Sequence, residues 1–307
     1  MKKFRLALKT AAAAVIIMVT SGSLAAQRPT TPRGDVKNVV FAVLNDGKMI
    51  EPIGYIEAGL LRPPVAGDAD SDLIREFNTA YYKKGKAFDL IFGGKKNGTV
   101  TVQSSDHTAE CSKNMAQVTV GSTRAKLAGK VMGLATNLTL RKPGSGVRRL
   151  PTKEERAAAE SIVRAEMRKQ GNAASLLKNL RSHNLTALDF ENDGTIEMVG
   201  SYWIEPNAKT RNMLFFIAEK NDVGDHVMSY GKYNSITEEN VMSGEIAVLD
   251  TGVYHELLLD IMDVNGDGVS EVFTYVQSFE GAGFNAYRRV DGKWNSFHEF
   301  SNYHCGY

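Results

Sequence analysis

Two stretches in the second half of the chain carry oxygen-bearing side chains at the same spacing around a glycine. Each has such side chains at its positions 1, 3, 5 and 9, and the first aspartates of the two stretches are 74 positions apart. Calcium takes roughly 6–8 hard oxygen ligands in a flexible shell, so this spacing predicts one calcium loop in each stretch. The ligands predicted for the first loop are Asp189, Glu191, Asp193, Glu197 and the backbone carbonyl of Thr195. The ligands predicted for the second loop are Asp263, Asn265, Asp267, Glu271 and the backbone carbonyl of Val269.

The glycine at position 6, Gly194 or Gly268, permits the sharp bend that turns position 7 towards the ion. Neither loop is a complete EF-hand, because position 12 is Gly200 or Thr274 where an EF-hand needs a bidentate glutamate. The residues that follow each loop are rich in β-branched and aromatic types, which favour strands. We therefore expect two calcium loops that each join two strands. The alternative is a pair of Asp-Gly hairpins whose acidic side chains are only solvated.

The pattern Asp-x-Asn-x-Asp-Gly-x-x-Glu followed by a strand resembles the FG-GAP and VCBS-type repeats, over about residues 185–205 and 258–290. The first loop departs from it, with Glu191 at position 3 and Asn192 at position 4. The resemblance implies calcium held between the strands of a β-rich repeat, and a binding or adhesion role more often than catalysis. Two copies are too few for a closed propeller of about 4–8 blades, so a propeller is not predicted.

A third acidic run, with Asp68, Asp70 and Asp72, has Leu73 where the bend glycine would stand. Negative charge is favourable at the start of a helix because of the helix dipole. We therefore interpret this run as the start of a helix over residues 73–81 and not as a metal site.

No complete catalytic motif is found. His255-Glu256 lacks the second histidine of a zinc-protease helix, and His107 and Glu110 are followed by Cys111 where the inverted motif needs histidine. His298, His304 and Cys305 would form a tetrahedral metal site only with ligands from elsewhere in the chain. We predict no catalytic residue and no organic cofactor.

The N-terminus has the three parts of a secretory signal: a basic start, an apolar run over residues 11–19 and small residues up to Ala26. We expect residues 1–26 to be removed, residues 27–35 to form a flexible arm, and the mature protein to be periplasmic or secreted, with no membrane span. Removal of the four basic residues of the signal leaves 33 basic against 35 acidic residues, a net charge of −2. Such a chain has no broad basic surface for nucleic acid.

The chain has two cysteines, Cys111 and Cys305. Export would place them where disulfides persist, so they either pair or remain separate buried thiols.

The predicted fold class is α+β. A strand-rich N-terminal domain spans residues 36–142 and contains hairpins at Asn45-Asp46-Gly47 and at Asn97-Gly98. Residues 143–150, rich in glycine and basic residues, form a linker. The domain over residues 151–307 opens with short helices, the first of them capped by Thr152 and Glu155, and continues as antiparallel sheet with both calcium loops.

The function expected from these features is that of an exported, non-catalytic calcium-binding protein with a binding or envelope-associated role and an unknown protein or glycan ligand. The alternative is an exported hydrolase, for example one that acts on glycans, with structural calcium. A third interpretation is an accessory subunit of a surface assembly.

Overall fold

The computed structural model describes residues 36–241, 246 and 253–305. These residues form sixteen β-strands, two α-helices and two short 3-10 helices. The predicted signal peptide and arm lie outside the described residues. None of the described helices has the length and apolar character needed to cross a membrane.

The first part of the chain forms a closed barrel of six strands in the order β1-β7-β4-β5-β6-β2, which is closed by pairing between β1 and β2. A seventh, short strand, β3, pairs with β2 outside the ring. The bounds of these strands are β1 Asn38–Leu44, β2 Met49–Glu57, β3 Leu60–Arg62, β4 Ala87–Phe92, β5 Lys95–Ser105, β6 Ala116–Gly121 and β7 Gly133–Thr136.

Side chains from all six strands of the ring fill the barrel, including Phe41, Phe88 and Val100. Helix α1, Ser71–Tyr81, packs Phe77 and Tyr81 against this interior. Its start is capped by Asp70, whose side chain accepts a hydrogen bond from the amide of Asp72. The interpretation of the third acidic run as a helix start is therefore confirmed.

The second part of the chain forms two antiparallel sheets, each with four strands that are adjacent in sequence order. The first meander consists of β9 Arg181–Leu188, β10 Glu197–Asn207, β11 Thr210–Lys220 and β12 His226–Thr237, and the two-residue strand β8 Arg148–Arg149 extends it. The second meander consists of β13 Glu256–Met262, β14 Glu271–Gln277, β15 Gly281–Val290 and β16 Lys293–Tyr303.

Three apolar clusters stack these layers. Residues on the outer face of the barrel, such as Val40 and Leu134, pack against Leu259 and Phe284 of the second meander. The other face of the second meander packs against the first meander. Helix α2, Lys153–Lys169, covers the remaining face of the first meander. The order of the layers is therefore barrel, second meander, first meander and helix.

The predicted α+β fold class is wrong, because the described residues are mainly β-structure. Helix α2 forms as its signals predict, with Thr152 and Glu155 in a capping box. The second helix expected after it is only the four-residue 3-10 helix Leu176–Asn179. The capping signals identify helix α2 clearly. They do not show that this one helix covers a whole face of the first meander. Closure of the barrel depends on pairing between distant strands and has no local sequence signal.

The hairpin at Asn45-Asp46-Gly47 is confirmed, and all three residues have positive φ angles of 50°, 54° and 78°. The hairpin predicted at Asn97-Gly98 is wrong, because the chain turns at Gly93-Gly94 and Gly98 lies inside β5. A Cβ atom on Gly98 would lie 2.3 Å from the carbonyl oxygen of Gly121. This glycine therefore permits a close approach of two strands, a role that resembles a turn signal in the sequence.

Cys111 and Cys305 form a disulfide whose Cα atoms are 5.6 Å apart. The predicted linker, residues 143–150, lies along the barrel, since the amide of Gly144 donates to the carbonyl of Gly94 and the amide of Gly146 donates to the carbonyl of Gly93. The division into two domains stays a prediction.

A buried ion pair between Arg148 and Asp260 joins the layers. The side chain of Asp260 is 0% exposed and that of Arg148 is 5% exposed, and Arg148 Nη1 lies 2.8 Å from Asp260 Oδ2. The same Nη1 donates to the carbonyls of Met132 and Leu259, and Asp260 accepts from the amide of Gly93. One guanidinium and one carboxylate thus connect the barrel, β8 and the second meander.

We expect Arg148→Met to lower the free energy of unfolding by roughly 3–5 kcal/mol, because it leaves the carboxylate of Asp260 buried without its charge partner. The matched control is Arg149→Met, which removes an exposed ion pair with Glu155 and should cost at most about 1 kcal/mol. Urea unfolding measures both. Adding Asp260→Asn to Arg148→Met should recover part of the loss, and equal losses for the two single variants would contradict this role.

Candidate metal centre

Both predicted calcium loops join the first two strands of a meander. The Asp189 loop, residues 189–197, connects β9 to β10, and the Asp263 loop, residues 263–271, connects β13 to β14. The expectation that each loop leads into a strand is confirmed. The glycine at position 6 has φ of 85° in Gly194 and 101° in Gly268, which is the left-handed region that glycine adopts without strain.

The two loops share an internal pattern of hydrogen bonds. The position-9 glutamate accepts from the amide of position 2, at 2.9 Å from Phe190 to Glu197 and at 2.8 Å from Val264 to Glu271. The first aspartate of each loop accepts two backbone amides, and the aspartate at position 5 accepts the amide of position 7. The bonds of the first aspartates come from Asp193 and Gly194 to Asp189, and from Gly266 and Gly268 to Asp263. Those of position 5 come from Thr195 to Asp193 and from Val269 to Asp267. The segments are therefore repeats in structure as well as in sequence.

Two adjacent arginines of β15 form ion pairs with acidic side chains of the two loops. Successive side chains of a strand point to opposite faces of the sheet. Arg288 points towards the barrel side and pairs with Glu271, with 2.6 Å between Nε and Oε1. Arg289 points towards the first meander and pairs with Glu191 and with Glu219 of β11. One dipeptide therefore neutralises acids of both loops.

The surroundings of the Asp263 loop are more basic than those of the Asp189 loop. Lys142 Nζ donates to the carbonyl of Asp267 at 2.9 Å, and the side chain of Arg141 lies against Gly266. Arg288 also donates to the carbonyl of Gly59, which attaches this loop to the turn between β2 and β3. Three cations thus face the Asp263 loop.

The Asp189 loop keeps a larger excess of negative charge. Its four acidic side chains and the nearby Glu219 face Arg289. Burial, together with the neighbouring carboxylates Asp189, Asp193 and Glu219, raises the pKa of Glu197 to about 8. Burial also raises the pKa of Glu271, to about 7, but there Arg288 acts in the opposite direction.

The donor set of both loops fits calcium in its chemistry, since it consists of carboxylate, amide and carbonyl oxygens. A carboxylate oxygen has more than one acceptor position, so an amide bond to Asp189 or Asp263 leaves capacity for a cation. Within the parts of the chain that the structure describes, no group of three or more His, Cys, Asp or Glu side chains is gathered closely enough to hold a metal ion.

No family profile matches the chain, and comparisons with curated proteins and with solved structures find no significant match. The resemblance to FG-GAP and VCBS-type repeats therefore rests on the loop residues themselves.

The remaining sequence candidates do not meet at one site. Cys305 is bonded to Cys111, the ring of His298 contacts the carbonyl of Ile53, and the ring of His304 contacts Glu51. The dipeptide His255-Glu256 lies at the start of β13 and not on a helix.

Sequence reasoning missed a buried polar network around Glu256, between the two meanders. One oxygen of this carboxylate accepts three hydrogen bonds and the other lies 3.2 Å from Lys232 Nζ. The three donors are Thr274, Asn285 and Tyr287. They come from two different strands, and alternation along a strand shows only which side chains share a face. Tyr287 and the nearby Trp294 are both buried.

His255 is 1% exposed, and neither ring nitrogen has a hydrogen-bond partner among the residues that the structure describes. Its ring stacks on that of His183, with 4.1 Å between centroids, and meets the edge of Trp203. Burial, together with the nearby His183, Arg211 and Lys130, lowers the pKa of His255 to about 3. The folded state therefore holds this imidazole neutral.

Because the pKa of His255 is lower in the folded protein than the value of about 6.5 in an unfolded chain, acid favours unfolding. The contribution is complete above about pH 6.5 and is lost as the pH falls towards 3, at up to roughly 1.4 kcal/mol per pH unit. We expect His255→Gln to flatten the dependence of unfolding free energy on pH between about 6.5 and 4. The control, His107→Gln at an exposed position, should keep the wild-type slope. Urea unfolding across this range compares slopes, and an unchanged slope in His255→Gln would contradict the assignment.

Proposed function

We propose that this chain is an exported calcium-binding protein with a binding or envelope-associated role, in which calcium occupies the Asp189 and Asp263 loops. The observation that carries the proposal is the repeated loop itself. Two distant segments place acidic and amide oxygens at equivalent positions and support them with equivalent hydrogen bonds. The resemblance of both loops to FG-GAP and VCBS-type repeats supports the same assignment.

Export is supported by two independent features. The first 26 residues have the basic, apolar and small-residue order of a secretory signal. The disulfide between Cys111 and Cys305 is of the kind that persists in the periplasm or outside the cell. Extracellular calcium modules work at weak affinities of roughly 10⁻⁴–10⁻³ M, which suits a structural ion in such a compartment.

The role proposed for the ion is electrostatic. The carboxylates of Asp189, Asp193 and Glu197 lie in one tight loop and repel one another, as their effect on the pKa of Glu197 indicates. A divalent cation relieves that repulsion and holds together the ends of the two strands that the loop joins. The ligand of the protein would then bind to a surface that calcium stabilises and does not itself form.

We expect millimolar calcium to raise the thermal unfolding midpoint relative to EGTA, because an ion that binds only the folded state stabilises it. At about ten times the dissociation constant each loop contributes roughly 1.4 kcal/mol, or a few degrees for a domain of this size. Asp193→Ala and Asp267→Ala should each remove part of the rise. The loss should be larger for Asp193→Ala, since the Asp263 loop already has Arg288 and Lys142 as neighbours.

The matched control is Asp222→Ala, at an exposed turn outside both loops, which should keep the full calcium response. Equilibrium dialysis with radioactive calcium then gives the number of ions bound. A wild-type midpoint that is the same in calcium and in EGTA, together with no bound ion, would refute the proposal.

A further inference from the structure

A pocket of about 480 Å³ opens where the loop between β5 and β6 meets the end of β16. Six of the ten described residues that line it have polar side chains. They are Ser104, Ser105, Asp106, Ser112, Gln117 and His304. This pocket involves neither acidic loop.

His304 is held in place by a buried carboxylate. Glu51 is 0% exposed, and its Oε1 lies 2.7 Å from His304 Nε2 and accepts from the side-chain amide of Asn302. Its second oxygen, Oε2, is buried and has no hydrogen-bond partner in the described part of the chain. A carboxylate can only accept, so in the neutral imidazole the proton lies on Nε2 and Nδ1 is an acceptor. Among the described residues nothing else bonds to this ring, and Nδ1 is available to a ligand in the pocket.

The disulfide fixes the two walls of the pocket relative to each other. Cys111 precedes Ser112 on one wall, and Cys305 follows His304 on the other. Without this bond the end of β16 would be tied down by fewer contacts, such as the amide of His304 on the carbonyl of Glu280. The disulfide therefore adds to the contacts with Glu51 and Glu280 that position His304.

The other polar groups of the wall have unused hydrogen-bonding capacity. The side chains of Ser104, Ser105, Ser112 and Gln117 make no hydrogen bond to another described residue, whereas Asp106 uses one oxygen for Thr108. A surface with several unpaired donors and acceptors on one concave wall fits a ligand that offers many of both.

The composition of the wall narrows the ligand class. Among the described residues that line the pocket there is no Lys or Arg to bind an anion and no Phe, Tyr or Trp ring to stack on a base. The side chains of Met49 and Met115 add apolar surface, which suits the C–H faces of a sugar ring. We propose that this pocket binds a neutral saccharide, with His304 Nδ1 accepting from one of its hydroxyls. The inference rests on the proposed binding role and names its ligand class, but it does not depend on calcium.

The test uses the mature, oxidised protein labelled with ¹³C in its methionine methyl groups and titrated separately with maltose, cellobiose and diacetylchitobiose. We expect at least one of these disaccharides to shift the methyl signals of Met49 and Met115 and to leave those of Met198 and Met262, buried elsewhere, unchanged. The variants Met49→Leu and Met115→Leu assign the two signals. Running each titration in calcium and in EGTA separates this outcome from the calcium proposal.

Variants of His304 and Glu51 test the geometry. His304→Gln keeps an amide that can reach Glu51 but loses the acceptor at Nδ1, and it should weaken binding roughly three- to tenfold, the effect of one hydrogen bond. Glu51→Gln should weaken binding as well. The control His107→Gln, on the loop between β5 and β6, should leave the affinity unchanged. Reduction and alkylation of the disulfide should abolish binding with the thermal transition retained. Unmoved Met49 and Met115 signals with all three disaccharides, or equal affinities for wild type and His304→Gln, would overturn the inference.

Discussion

The fold depends on the ion pair between Arg148 and Asp260. An isolated buried carboxylate is strongly unfavourable, and Asp260 has no exposed surface. Arg148 can reach it only when the segment after the barrel runs along Gly93 and enters the first meander as β8. The pair therefore requires the barrel, the first meander and the second meander to be in place together. Apolar clusters also pack the layers against each other, but they would tolerate small shifts that this hydrogen-bonded pair does not.

The same principle recurs at the acidic loops, where charge is balanced by a neighbouring layer. Arg288 and Arg289 both belong to the second meander. Arg288 pairs with an acid of the Asp263 loop in the same meander, whereas Arg289 pairs with an acid of the Asp189 loop in the first meander. The repeat has diverged in how its charge is balanced. The Asp263 loop lies among Arg141, Lys142 and Arg288. The four acidic side chains of the Asp189 loop and the nearby Glu219, in contrast, face the single cation Arg289. The loop closer to the repeat pattern in sequence is thus the one whose charge the protein already compensates more fully.

Features set by neighbouring residues could be predicted from the sequence. The turn at Asn45-Asp46-Gly47, the cap at Thr152 and the strands after both acidic loops depend on a few adjacent residues, and all are present. Features set by distant residues could not be predicted. Arg148 reads as one charge in a basic, glycine-rich segment, because its partner lies 112 positions away.

Glu51 is a further case of this limit, because it looks like an ordinary polar position in a strand until β16 brings Asn302 and His304 to it. Asn97-Gly98 misled for the same reason. Gly98 is required because the carbonyl of Gly121 on another strand leaves no room for a Cβ atom, and not because the chain turns there. The spacing of the acidic loops could be found because each complete set lies within nine consecutive residues.

The second meander places the two kinds of site at opposite ends of one sheet. The Asp263 loop follows the last residue of β13, whereas His304 follows β16, whose end pairs with the start of β15. Since β14 and β15 pair from Gln277 and Ala282 onwards, that end lies beside the first residue of β13. The seven residues of β13 separate the two ends by roughly 23 Å, which is more than a Debye length in physiological salt. A cation in the loop therefore has little direct electrostatic effect on the pocket. Calcium in the loop could influence the pocket only by changing how well the strands between the two sites are ordered. Loss of the ion would therefore leave the geometry of His304 unchanged as long as the sheet stays folded.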